Sequence, residues 1–430
     1  MSIASSVVFQ RVTLFLLIVF LPFQNTVFGL TSLGFLGKAP SFVFIVFLFV
    51  FSFLKFASVS GKVNKFKISF FLYLFFVSVL STVFFWGDIV YGRNLVLKGV
   101  NLFILNILFL FPIFIPISFK NKIYKHAFFI AFILCVLGVF LGDFFHLSII
   151  ENGFFHMSER PSLRPRGFSY EPSMLAVTIF PILFSILCLN NKLKNFSFFY
   201  VAIFFMIAVL TSSKGAMATL VIAFFFAYFF SKKIISLQGV VFAVLFFVAT
   251  YFLGVVLIKH AMLDMENNTS IATRSVCVLV SVFSLLKYPL GVGYAGFLYA
   301  FQNNVQSAID FMIYLIPFEL NFSEVSGYLN AHTDSSIGTK SFFFNNIIYF
   351  GWPFVFFFFG YVIYIIKECR KYKRIDLELS FLFIVISLVT FVEGVGLYPM
   401  SVFIAILNYE LFKERTIIKN ATLGQKYGLC

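Results

Sequence analysis

The chain has 430 residues, of which 61% are hydrophobic and 11% charged, and a formal net charge of +15. Soluble domains carry roughly a quarter charged residues, so this composition excludes an ordinary soluble fold and indicates an all-α polytopic membrane protein. The basic excess does not read as a nucleic-acid footprint. It falls in short groups between apolar runs, namely KVNKFK (62–67), KNKIYK (120–125), NKLKN (191–195), SKK (231–233) and KECRKYKR (367–374), as cytoplasmic loops obeying the positive-inside rule do.

About 20 apolar residues cross a bilayer. That length predicts helices over 11–30, 40–58, 68–86, 97–118, 127–147, 172–190, 196–212, 216–231, 238–258, 343–366, 378–395 and 397–412. The first contains RVTLFLLIVFLPF, a signal-like apolar core with no small-residue cleavage site after it, and is read as a membrane helix. About twelve spans place both termini in the cytoplasm. The chain divides into a bundle over 1–258 with an arginine-rich outer loop at 148–171, a large outer loop at 259–342, and final helices with a cytoplasmic tail at 343–430.

This layout assigns 17 Lys and 4 Arg to the cytoplasmic side, and 6 Lys and 5 Arg to the outer side. Topology needs only positive charge, which lysine supplies. Arginine kept outside calls for another reason, and its planar fork is the better bidentate partner for an anion.

The outer loop at 148–171 ends in RPSLRPRGFSYEPSMLA (160–176). Pro172 is expected at the first helical position, with Glu171 as N-cap and the positive dipole end facing outward. Arg160, Arg164, Arg166 and that helix end then make a pocket for a diphosphate, with Gly167 allowing a close turn and Tyr170 beside it. The alternative is that the arginines meet lipid headgroups and Glu171 only caps the helix or pairs with one of them. Lys214, before a small-residue helix start, is either a further phosphate contact or a headgroup anchor.

In the large loop, SIATRSVCVLVSVFSLLKYPLG (270–291) is apolar enough to span. Crossing alone, it would carry KECRKYKR outside, so it is read as a helix dipping into the outer interface. Ser270 or Thr273 caps it, Arg274 lies in its first turn and Pro289 stops it. PLGVGYAGF (289–297) follows as a glycine turn, with Gly291 and Gly293 shaping it and Tyr294 placed to stack on a sugar. A plain turn is the alternative. NAHTDSSIGTK (330–340) brings His332, the side chain best suited to take a proton near neutral pH. Glu393 is an acid near the outer end of a span, where intramembrane acids merit notice. The five cysteines show neither a C-x-x-C pair nor a His partner at metal spacing, so no disulfide framework, metal or other cofactor is expected.

RPRGFSYEPSMLA resembles the arginine–glycine–glutamate–proline motif of bacterial O-antigen polymerases (Wzy-type), and the segment from Arg274 through KYPLGVGYAGF resembles their second arginine segment. Arg166, Gly167, Glu171 and Pro172 fall on the first motif, and Arg274, Gly291 and Gly293 on the second. The resemblance implies an inner-membrane, metal-independent glycosyltransferase that joins undecaprenyl-diphosphate-linked repeat units at the periplasmic face. It also implies a co-polymerase that regulates chain length. Arginines would stabilise the diphosphate leaving group, and His332 or Glu171 would take the acceptor's proton. Related O-antigen ligases carry a late-loop histidine that His332 matches in position, so ligation is the nearest alternative. A flippase or transporter is the third, and it fits less well because the polar chemistry gathers at the outer ends rather than the midplane.

Overall fold

The computed structural model describes residues 3–30, 39–56, 65–114, 119, 122–147, 165–169, 172–189, 207, 213–229, 269–316, 320–330, 337–393 and 397–426. Among these the chain is helical apart from one two-stranded hairpin, β1 (Ile89–Val90) and β2 (Arg93–Asn94). The helices are α1 (Ile3–Val19), α2 (Pro40–Phe56), α3 (Lys65–Phe84), α4 (Leu95–Phe114) and α5 (Ile123–Gly138), which runs on as a π-helical turn over Val139–Phe144. Then come α6 (Pro172–Leu189), α7 (Lys214–Phe229), α8 (Thr269–Lys287), α9 (Phe297–Leu315), α10 (Ser323–Asn330), α11 (Phe342–Lys371), α12 (Ile375–Thr390) and α13 (Leu397–Lys426).

Most predicted spans fall on these helices, with instructive differences. α1 stops at Val19 instead of running to 30, because Pro22 disfavours helix in the residue before it and has no N–H to donate. α13 continues to Lys426, well past the predicted 412. Spans 196–212 and 238–258 lie outside the described residues, apart from Ile207. Two of the described helices, Ile123–Phe144 and Phe342–Lys371, are long and apolar enough to cross a bilayer, while apolar stretches such as Ser69–Phe84 and Ser173–Leu189 are shorter. Helix length alone therefore does not establish the count of twelve.

α6, α12 and α13 form the centre. Phe180 and Phe184 of α6 meet Phe383 of α12 at ring-centroid distances of 4.9 and 5.7 Å, and Phe184 meets Phe403 of α13 at 6.0 Å. Peripheral helices turn apolar side chains outward. Phe76 on α3 is 60% exposed and Phe356 on α11 is 69% exposed. An apolar exterior of this kind suits hydrocarbon surroundings and is unfavourable in water.

The bundle has two chemically distinct ends. Cys188, in the last turn of α6, lies near Asp376, Arg374 and Glu410, so the start of α6 at Pro172 lies toward the end where α12 finishes. α3 runs against α11, with Phe70 stacked on Phe357 and Tyr73 near Phe350. Phe119, just before α5, meets Tyr409 of α13. The start of α3, the start of α5 with Lys122 and Lys125, and the basic group at 367–374 thus gather at one end, and Arg166, Arg274 and Lys340 at the other.

At the lysine-rich end, KECRKYKR does more than solvate. Arg374, 3% exposed, forks onto Asp376 with N–O distances of 2.7–3.1 Å and reaches Glu414 of α13 at 3.0 Å. Arg370 bonds Glu378 at 2.6 and 2.9 Å, and Arg415 bonds Glu368 at 2.8 Å. Asp376 and Glu378 also sit in the first turn of α12, where the helix dipole favours negative charge. These pairs tie α11, α12 and α13 together.

α11 is broken at Gly351, whose φ of 60° and ψ of −148° are non-helical, and Pro353 follows two residues later. The break leaves carbonyls and an N–H without helical partners in an apolar setting, where each costs several kcal/mol if unpaired. The turn between α8 and α9 takes them up. Val292 N–H donates to the Ile348 carbonyl at 3.0 Å and Gly293 N–H to the Tyr349 carbonyl at 2.8 Å, while Trp352 N–H donates to the Pro289 carbonyl at 2.9 Å. The Tyr73 hydroxyl donates to the Leu290 carbonyl at 2.8 Å and the Phe350 carbonyl at 3.0 Å. A Cβ at Gly351 would lie 2.1 Å from the Pro289 oxygen, and one at Gly291 (φ +79°) 2.3 Å from the Tyr349 oxygen. Only glycine permits this approach.

Two stability predictions follow from these contacts. Gly351→Ala forces a Cβ into backbone at a positive φ and is expected to cost about 3 kcal/mol or more. Arg374→Ala strands buried carboxylates and is expected to cost about 3–5 kcal/mol. Thermal melting of detergent-purified protein checks both; an unchanged melting temperature would contradict the contacts described.

Candidate functional site

Two polar clusters occupy the arginine-bearing end. The first surrounds Arg166. The π-helical turn that closes α5 presents Asp143, whose Oδ2 accepts the backbone N–H groups of Arg166 at 3.1 Å and Gly167 at 2.8 Å. Gly167 has a φ of +55°, and the turn is pinned further by the Phe168 ring, 4.9 Å from that of Phe23, and by Gln24 N–H on the Phe168 carbonyl at 3.3 Å. Gln24, Asn25, Thr26, Ser169 and Thr178 are all buried. That gathering of polar side chains is unusual in so apolar a chain.

The Arg166 side chain itself is 2% exposed. The turn that carries it folds inward against Phe23, α5 and α6. Pro172 begins α6 as expected. Arg160, Arg164, Tyr170 and Glu171 lie outside the described residues, as does His332.

The second cluster is built from α8, α10, the 337–341 segment, α11 and the end of α12. α8 begins at Thr269, so Ser270 and Thr273 lie within the helix instead of capping it, and Arg274 is its sixth residue. Thr273 Oγ1 instead donates to Glu324 Oε2 at 3.0 Å, and Lys340 Nζ lies 3.9 Å from Glu324 Oε1. Glu393 follows the end of α12. It accepts a hydrogen bond from Asn345 Nδ2 at 3.2 Å and another from the backbone N–H of Lys340. Thr339 N–H donates to Asn345 Oδ1 at 3.1 Å, which orients the amide. Lys340 and Arg274 set positive charge near this carboxylate. Lys214 opens α7, whose Gly215 packs on Phe391 at the same end.

Gly291 and Gly293 shape a turn as expected, but its role is to fill the break in α11. The sugar-stacking role expected for Tyr294 does not match its placement. The ring is 3% exposed, lying among Phe103, Tyr349 and Phe350 at 5.8, 4.5 and 5.1 Å. The hairpin buries that face because an aromatic beside a helix break fills the space the kink opens.

The structure thus brings Arg274 together with Glu393, and sets Arg166 in a separate cluster at the same end. Among the described residues no three His, Cys, Asp or Glu side chains group to hold a metal ion. The chain is similar to a Klebsiella pneumoniae protein. That relative, "Uncharacterized 49.5 kDa protein in cps region", is 29% identical over 417 residues, 93% of this chain and 92% of its own. No protein-family model matches the chain, and no solved structure matches it.

Sequence reasoning missed Asp143, Glu324, Lys340 and Asn345. Asp143 stands alone in LGDFFH between apolar residues, and an isolated acid at a span's end was the available signal. Asp143→Ala is expected to destabilise the 165–169 turn by about 2–3 kcal/mol, since charge-assisted bonds to two amides are lost. Asp143→Asn, which keeps an acceptor, is expected to lose less. Limited proteolysis of the segment before Pro172 and thermal melting check the ordering.

Proposed function

We propose that the chain is a surface-polysaccharide polymerase, joining undecaprenyl-diphosphate-linked repeat units at the periplasmic face of the bacterial inner membrane. The observation that carries this reading is the presence of both arginine segments, at Arg166 and Arg274, at one end of an apolar helical bundle, opposite the lysine-rich end. Positive-inside logic makes the lysine end cytoplasmic and the arginine end periplasmic. The relative in a cps region, a capsule region, suits polysaccharide assembly.

In this reading an acceptor sugar hydroxyl attacks the anomeric carbon of the donor chain. The bond from that carbon to the lipid diphosphate breaks, and the diphosphate leaves with the electron pair. Arg274 and Lys340, together with the outer arginines Arg160, Arg164 and Arg166 and with Lys214, offset the charge that develops on the leaving group. The hydroxyl proton passes to a base, for which His332 and Glu171 are the proposed residues. The partners are lipid-linked glycan as donor and acceptor, membrane lipid, and a chain-length-regulating co-polymerase, with no nucleic acid.

Arg274→Ala is expected to leave the protein inserted at normal level while polymerisation falls by about 100-fold or more. A polysaccharide gel of cells carrying the variant would then show single repeat units in place of long chains. Normal-length polymer would overturn the proposal. Long polymer accumulating on the lipid diphosphate without transfer would show ligation instead.

A further inference from the structure

We propose that the exposed face of α9 is a glycan-binding track, on which Gln302, Asn303, Gln306, Ser307 and Asp310 hold an uncharged stretch of polysaccharide chain. The proposal rests on the polymerase reading for the origin of that chain, while the face itself is defined by α9 alone.

α9 stands at the arginine-bearing end. α8 runs inward beside the start of α11, since Cys277 Sγ donates to the Gly338 carbonyl at 3.4 Å and Trp352 N–H donates to the Pro289 carbonyl at 2.9 Å. After the 289–293 turn α9 runs back along α8. Asn304 Nδ2 donates to Ser284 Oγ at 3.1 Å, and the Phe311 ring lies 5.8 Å from that of Phe283. One side of α9 is buried against these neighbours. The opposite side carries Tyr299, Asn303, Gln306, Asp310 and Tyr314 at steps of three and four, all exposed, with Gln302 and Ser307 beside them.

The composition of that face selects the ligand. Amides, a hydroxyl and one carboxylate fill its middle, and no Lys or Arg occurs in α9. A diphosphate or an anionic headgroup calls for cations, and a hydrocarbon chain for an unbroken apolar surface. Neither matches. Every sugar hydroxyl both donates and accepts, and so do the Asn and Gln amides and the Ser hydroxyl. Gln306 Nε2 donates to Asp310 Oδ1 at 2.8 Å, which holds the two side chains in place before a ligand arrives. The negative charge of Asp310 disfavours an acidic sugar there, so the stretch held is uncharged. Tyr299, resting on Phe85 at 5.3 Å, and Tyr314, 87% exposed, offer rings near either end for the C–H face of a sugar. From Tyr299 to Tyr314 the helix rises about 22 Å, the reach of several sugar residues.

Solvation alone would not select these side chains. Lys, Glu or Ala in the middle of an exposed face favours the helix more than Asn or Ser, which compete for backbone hydrogen bonds. Asn304 shows what an amide kept for packing does: it is buried, and it donates to Ser284 and to the Ala300 carbonyl. Asn303 is exposed on the other side, where a helix-disfavouring side chain returns nothing to the fold.

The experiment uses the full chain purified in detergent. The probe is the producing cell's own surface polysaccharide, released from lipid and cut to a few repeats. Calorimetry is expected to show saturable binding by the wild type. The double variant Asn303→Ala, Gln306→Ala is expected to bind at least about tenfold more weakly, through loss of two or more hydrogen bonds. Tyr314→Ala is expected to bind about fivefold more weakly, and Tyr314→Phe, which keeps the ring, as wild type does. All three positions are exposed, so melting temperatures are expected to stay at the wild-type value. In cells the double variant is expected to shorten the polysaccharide while bonds between repeats still form.

Failure of the wild type to bind the probe would overturn the proposal. So would unchanged binding by the double variant, including a double variant that loses a co-purifying protein instead. If the track variants lose glycan binding while Arg274→Ala cells still make long polymer, the track stands and the polymerase reading falls. If Arg274→Ala cells lose polymer while the double variant binds and elongates as wild type, the reading stands and the track falls.

Discussion

The break in α11 at Gly351 is the constraint on which the arginine-bearing end depends. A helix interrupted inside an apolar bundle must find partners for the backbone groups it releases, because no water is at hand to take them. Here the turn over 289–293 supplies both donors and an acceptor, and Tyr73 closes the remaining carbonyl. The same contacts dock the α8–α9 hairpin against α3 and α11, and α8 carries Arg274.

This arrangement also separates two uses of arginine in one chain. At the lysine-rich end Arg374 and Arg370 are consumed by carboxylates of α12 and α13 and act as ties. At the opposite end Arg274 follows Thr273, which bonds Glu324, in a cluster that also holds Lys340 and Glu393.

Much of the bundle was legible in the sequence. Helices over 40–56, 172–189 and 342–371 follow from apolar runs ended by proline, glycine or basic groups, since hydropathy acts residue by residue. The turn at Gly291 and Gly293 was legible as a turn for the same reason. Its function was not, because neither glycine says which helix it will touch. Tyr294 shows the cost of that gap: its aromatic ring beside a glycine turn suggested a ligand platform, and three aromatic neighbours from distant segments claimed it first.

The sequence by itself determined the class of the protein, its helical content and the segregation of lysine from outer arginine, because composition and charge sum locally along the chain. Only the tertiary structure decided that Arg166 is buried, that Asp143 builds its turn, and that Glu393 and Lys340 come together near Arg274. Those outcomes depend on hydrogen bonds between segments apart in sequence, such as Asp143 with Gly167 and Thr273 with Glu324. The partner of a polar group in an apolar interior is set by which segments pack together.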